Sequence, residues 1–198
     1  MNSNSNSNWN TNYTTWNYKK NKGTTRYSAG ILPYSFDNNG KCLFLLGKDN
    51  DNDWSDFGGR CEFRDHSDEK LTACREFYEE TLGSIMSMQE SLDKINNGAT
   101  KIISKTLNGS PYYMYLVYVD YSNYSETFTK TSNFLKYIYS QEHRNTDKII
   151  EKIAIRWVSI DTLINCIDNK DLITPISLRG VFFKTIQNSK ESLLFLKN

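Results

Sequence analysis

A chain of 198 residues is long enough to bury a core without a metal or disulfide staple, and a net charge of +1 directs it neither to nucleic acid nor to membranes. The four cysteines, Cys42, Cys61, Cys74 and Cys166, form no CxxC pair, and there are only two histidines, His66 and His143, which argues against a disulfide framework and a structural zinc site. No apolar run reaches the length of a membrane helix, and the opening MNSNSNSNWN lacks the apolar centre of a secretory signal, so a reducing, cytoplasmic setting without membrane contact is expected.

Residues 1–26 are rich in Asn, Ser, Thr and Lys and read as a disordered or loosely attached arm ahead of a domain spanning 27–198. Trp9, Tyr13, Trp16 and Tyr18, followed by Lys19, Lys20, Lys22 and Arg26, suit either a tail without a role or a stacking-and-cation arm for a nucleotide or RNA. From Tyr27 onward, YSAGILPYSF and KCLFLLGK flank the turn DNNG and predict a hairpin. DWSDFGGRCEF predicts short strands around a Gly-Gly turn, and residues 67–82 carry a helical pattern. ATKIISKTLNGSPYYMYLVYVDYS predicts a second hairpin turning at Asn108 and Gly109. A helix is expected over ETFTKTSNFLKYIYSQEHR. The strand KIAIRWV follows and runs into a short helix capped by Ser159 or Asp161, and a terminal helix opens at Pro175. Strands interleaved with a few helices define a mixed α/β domain, with no internal repeat.

The helix over 67–82 is expected to be capped by Asp65 or Ser67, with Asp68 and Glu69 at its positive end. At 100° per residue, Leu71, Cys74, Phe77, Tyr78, Thr81 and Leu82 fall on one arc for packing. Glu76, Glu79 and Glu80 fall together on the opposite side with Glu69 and Thr72. Three neighbouring carboxylates repel one another. Arg75 cannot neutralise all three, whereas a divalent cation can. On composition alone an ordinary solvated acidic face explains the same residues.

The set Gly58, Gly59, Glu62, Arg75, Glu76, Glu79, Glu80 and Gly83 resembles the Nudix box, with REFYEET matching its second half. SAGILPY, FLLGKD and IRWVSIDTL are similar to the family's flanking segments, so the resemblance covers roughly residues 27–163. Two departures stand out: a lengthened loop between Gly59 and Arg75, and an extra Leu82 before the closing glycine. The loop acid of the box is therefore open among Asp65, Asp68 and Glu69.

The resemblance implies an α/β/α sandwich with a mixed sheet between helices, and Mg²⁺-dependent (or Mn²⁺-dependent) hydrolysis of a phosphoanhydride in a nucleoside diphosphate linked to another group. Glu76, Glu79 and Glu80 would hold the metal, with the Gly58 carbonyl beside them. Glu76 is the first choice for orienting or deprotonating water, and Arg75 the partner that orients the glutamates. Arg60 is a candidate for a substrate phosphate and Glu62 for assisting the metal. A distal acid is sought among Glu151, Glu142 and Glu126, with Glu151 first. His66 reads as an exposed loop residue, and Cys61 and Cys74 as packing groups. Tyr112, Tyr113, Tyr115 and Tyr118 suit core packing or stacking on a base. Small nucleotides are the leading substrate class. Capped RNA is the second, suited by the arm, the later lysines and Arg179, with diphosphoinositol phosphates behind it. A non-catalytic nucleotide-binding module is the alternative from a different class.

Overall fold

The sheet grows around β1 (Ser28–Phe36), whose sequence SAGILPYSF is buried along most of its length. A near-continuous apolar run is what a strand covered on both faces requires. The computed structural model describes residues 27–142, 149–169 and 176–197. In it, β1 pairs antiparallel with β2 (Cys42–Asp49) across the turn at residues 37–40, where the Asp37 carboxylate accepts the amides of Asn39 and Lys41. On its other side β1 pairs parallel with β6 (Pro111–Tyr118), which pairs antiparallel with the edge strand β5 (Thr100–Lys105). Both hairpins turn where the sequence predicts. The short strands β3 (Trp54–Ser55) and β4 (Phe57–Arg60) join β2 and β1, and β7 (Lys152–Ser159) runs antiparallel along β2. The order is β3-β2-β1-β6-β5, with β4 on β1 and β7 on β2.

Helices cover both faces. On one, α1 (Glu69–Glu80), α2 (Met88–Asn96) and α3 (Tyr124–Gln141) bring Ala73, Phe77, Ile95 and Phe128 onto Ala29, Ile31, Phe57 and Ile155. On the other, α4 (Ile160–Asp168), α5 (Gly180–Asn188) and α6 (Lys190–Leu194) bury Leu163, Phe182, Ile186 and Leu193 against Leu32, Phe44, Leu46 and Met114. The chain is thus an α/β/α sandwich around a mixed sheet. Among the described residues no helix is long and apolar enough to cross a membrane.

Several local expectations are corrected. The cap of α1 is Asp68, whose side chain accepts from the amides of Lys70 and Leu71. Ser67 adopts a left-handed backbone at φ 60°, and Asp65 is committed to a partner elsewhere. Helix α2 was not anticipated, although the reciprocal capping pair Ser87 and Glu90 announces it. The single terminal helix is two, α5 and α6, parted at Ser189. Of the two proposed caps for α4, Ser159 is the one used, accepting from the Thr162 amide. The arm of residues 1–26, His143 and Pro175 lie outside the described residues.

Helix α1 is held to the sheet by Phe77, fully buried and edge-on to Phe57 with ring centroids 5.5 Å apart. Truncating such a side chain loses transfer energy and leaves a cavity. Phe77→Ala is therefore expected to cost about 3–5 kcal/mol in urea unfolding, at the large end for a point substitution.

Candidate functional site

The acidic residues of α1 do not share one solvent face. Glu80 is buried, Glu76 is nearly so, and only Glu79 stands open, with its side chain 42% exposed. Thr72, assigned to the outer side, is fully buried, whereas Tyr78, assigned to the packing arc, is 43% exposed. The helix is thus rotated from the expected pose, so that the side holding Ala73, Glu76 and Glu80 meets β4. The reason lies in β4 itself. A Cβ at Gly59 would sit 2.5 Å from the Glu76 carboxylate, and one at Gly58 would meet Gly30 Cα at 2.7 Å and Ala29 O at 2.9 Å. Bare Gly59 makes room for the Glu76 carboxylate, while bare Gly58 lets β4 close on β1 and the Tyr112 hydroxyl. The Gly58 amide then donates to Glu80 Oε2 at 2.8 Å.

Two buried cations sit among these acids. Arg75, 4% exposed, donates through Nε to Asp65 Oδ1 at 2.8 Å and through Nη2 to Asp65 Oδ2 at 3.0 Å. Its Nη1 donates to Glu79 Oε2 at 3.0 Å and lies 2.9 Å from Glu76 Oε1. Its Nη2 also reaches the Arg60 carbonyl at 2.9 Å. The lengthened loop therefore returns Asp65 to the helix, and of the three acids left open in the sequence it is Asp65 that meets Arg75. Thr72 Oγ1 donates to the same carboxylate at 2.9 Å. The second cation, Lys152, is 1% exposed; its Nζ donates to Ser55 Oγ at 2.9 Å and lies 3.3 Å from Glu80 Oε1.

These surroundings separate the acids. Burial alone would raise the Asp65 carboxyl, but bonds from Arg75, the Glu62 amide and Thr72 hold it below its ordinary value. Burial pushes Glu76 up to about 7 against the opposing charge of Arg75, with repulsion from Glu79 and Glu151 adding to the rise. Burial also raises Glu80, opposed by Lys152. Asp56, just before β4, is driven up to about 6 by burial, against a hydrogen bond from the Tyr112 hydroxyl and the charge of Lys152.

A cavity of about 620 Å³ opens beside β4, lined by Asp56, Gly58, Gly59, Arg60, Tyr112 and Arg179 among others. A smaller one of about 220 Å³ holds Glu80, Glu151, Lys152, Asp49 and Arg179. Arg179, directly before α5, borders both.

Of the residues singled out in the sequence, Gly58, Arg60, Arg75, Glu76, Glu79 and Glu80 are brought together, and Glu151 joins them at the smaller cavity. Glu126 is spent on Lys130 at the exposed start of α3, and Glu142 caps the far end of that helix. Glu62 pairs with Arg64 on the outside of the loop at 2.8 Å. His66 is exposed and Cys74 buried, as expected. Of the four tyrosines only Tyr112 lines the large cavity; Tyr113 packs edge-on to Tyr27, and Tyr115 donates to Glu69. Asp56 and Lys152 escaped the sequence reading. Asp56 adjoins the FGGR segment, which was the signal available for it. A lysine opening a strand carries no local sign of burial.

Among the described residues no three His, Cys, Asp or Glu side chains converge into a ready cage for a metal ion. The donor set nevertheless fits Mg²⁺ or Mn²⁺ in its chemistry. Glu76, over bare Gly59, and Glu80, on the Gly58 amide, are hard oxygen donors one turn apart, and Mg²⁺ commonly takes one or two carboxylates, completing its shell with water and substrate phosphates.

No family model matches this chain, and no curated protein matches it. Solved structures similar to it include a Nudix hydrolase from M. smegmatis, at 14% identity over 86% of this chain and 88% of that chain, with a TM-score of 0.44. They also include an Ap4A hydrolase from C. elegans, at 14% identity over 84% of this chain and 98% of that one, TM-score 0.41. A NUDIX hydrolase from Alicyclobacillus acidocaldarius is similar at 10% identity over 87% and 90%, TM-score 0.46.

The elevated Glu76 carboxyl has a definite sign. Between the ordinary glutamate value and about 7 the folded protein keeps a proton that the unfolded chain releases, so this group's contribution to stability falls as pH rises through that window. A carboxyl-carbon NMR titration is expected to place Glu76 near neutrality while Asp65 stays ionised into acid. Replacing the buried Arg75 with Met strands the Asp65 charge and is expected to cost about 3–5 kcal/mol by urea unfolding.

Proposed function

We propose that this chain is a Nudix-type hydrolase that cuts a phosphoanhydride bond in a nucleoside diphosphate linked to another group. The observation that carries this reading is the pair of buried carboxylates held on β4, Glu76 over bare Gly59 and Glu80 on the Gly58 amide, with Glu80 lining the smaller cavity beside Glu151 and Arg179. A site of that kind concentrates negative charge and leaves backbone-wide access to it. A bound Mg²⁺ or Mn²⁺ ion would neutralise diphosphate oxygens there and lower the pKa of a coordinated water.

The chain's own residues divide the remaining work. Glu76, Glu79 and Glu80 supply the carboxylate ligands, with Glu151 the acid nearest to joining them. Glu76 is the first choice to orient the attacking water or take its proton. Arg75 does not meet substrate; it fixes the rotamers of Glu76 and Glu79 and ties the helix to Asp65. Arg60 and Arg179 line the large cavity, and guanidinium groups match phosphate oxygens. The large cavity has the volume of a small-molecule site, with Asp56 and Tyr112 as a polar floor for the nucleoside part. Phosphoryl chemistry asks mainly for such positioning and charge stabilisation.

Incubation with Mg²⁺ in ¹⁸O-labelled water, across nucleoside diphosphate derivatives, dinucleoside polyphosphates and capped RNA, tests this reading. Label is expected in a phosphate product of at least one nucleotide. No phosphate-containing product from any substrate would leave a nucleotide-binding module instead. Glu79→Gln and Glu80→Gln are each expected to lower the rate at least about 100-fold with the fold retained by circular dichroism.

A further inference from the structure

A fully buried lysine at the edge of a carboxylate cluster requires an account. Lys152 opens β7, and its stem runs over Gly47 of β2, where a Cβ would lie 2.9 Å from Lys152 Cδ. The ammonium ends between Ser55 Oγ and Glu80 Oε1, at 2.9 and 3.3 Å. The other oxygen of Glu80 is taken by the Gly58 amide. Taking an ammonium out of water is costly unless close partners repay it. Arg75 is committed to Asp65, Glu76 and Glu79, so it offers nothing to Glu80. Lys152 is the cation that compensates this end of the cluster, and it does so from the wall of the small cavity that also holds Glu80 and Glu151.

We propose that Lys152 is a tethered cation that competes with the divalent ion for Glu80, and that it keeps the site poor in metal until an anionic substrate brings further oxygen ligands. The inference rests on the hydrolase reading above. A free divalent ion approaching Glu80 meets a positive charge already bonded to the oxygen it needs. An ion carried by a diphosphate arrives with part of its shell complete and with negative charge that Lys152 and Arg179 attract. Lys152 is thus a positioning residue that sets the order of binding: metal and substrate together, not metal first.

The test is Mn²⁺ binding to the whole protein without substrate, read by the EPR signal of free Mn²⁺ and by thermal melting. Lys152→Met, and separately Lys152→Gln, are expected to bind Mn²⁺ at least about tenfold tighter than wild type, as removal of a unit charge in contact with a ligand requires. Their melting temperatures are expected to rise more on adding Mn²⁺ than that of wild type. Equal or weaker affinity in both variants would overturn the proposal, because a lysine that only fills space and holds Glu80 would not restrain metal binding. Should Lys152→Met fail to fold without metal, refolding with millimolar Mn²⁺ serves as the assay: recovery supports the competition, and no recovery counts against it. Nucleotide hydrolysis by wild type separates the two readings. Tighter Mn²⁺ binding by the variants with no wild-type hydrolysis keeps the role of Lys152 and removes the enzyme; hydrolysis with unchanged variant affinity does the reverse.

Discussion

Everything at this site depends on the close approach of α1 to β4. A helix can set a carboxylate this close to a strand only where the strand carries no side chain toward it; Gly59 supplies that gap for Glu76, and the Gly58 amide holds Glu80. Once there, the acids are out of water and in one another's field. Their charge must then be answered from within the protein or by a bound ion. Arg75 and Lys152 answer part of it from opposite ends. Arg75 also braces the loop through Asp65, so the geometry of the acidic turn and the path of the loop are one structure rather than two.

The remaining architecture serves that contact. Phe57 and Phe77 lock the helix onto the strand from the core side. Strand β1 holds β4 antiparallel along its first half and β6 parallel along its length, and this brings Tyr112 beneath Asp56. From the opposite layer, the approach to α5 delivers Arg179 to both cavities. Residues far apart in the chain therefore converge because the sheet is mixed and both its faces are covered. The loop and edge groups supply charge, while the strands supply rigidity.

Much of this was legible in the chain. Both hairpins, α1, α3, β7 and the start of α4 follow from alternation, turn residues and caps, all of which are local. The Gly-Gly step and the spacing of Arg75, Glu76, Glu79 and Glu80 mark the candidate site before any coordinates. What local patterns cannot convey is which way a helix rolls. Helical periodicity placed Tyr78 inside and the glutamates outside, since it scores apolar side chains and assigns charge to water. Here two paired charges outweighed an exposed tyrosine. Lys152 was hidden for the same reason: its burial depends on Gly47, Ser55 and Glu80, which come from three other elements. The parallel pairing of β1 with β6 and the return of Asp65 to Arg75 are likewise tertiary facts. Helix α2 is a different case, because its signal, the reciprocal capping pair Ser87 and Glu90, is local.

The central claim is that the bare-backbone step under α1 is where a hard divalent ion and a diphosphate meet. Anomalous diffraction from crystals grown with Mn²⁺ and a non-hydrolysable nucleoside diphosphate analogue addresses it most directly. The account predicts manganese between the Glu76 and Glu80 carboxylates and the analogue's phosphates, with Arg179 turned toward the phosphates. Manganese absent from that turn, or the analogue bound elsewhere with Glu76 and Glu80 still closed on their lysine and arginine, would contradict it.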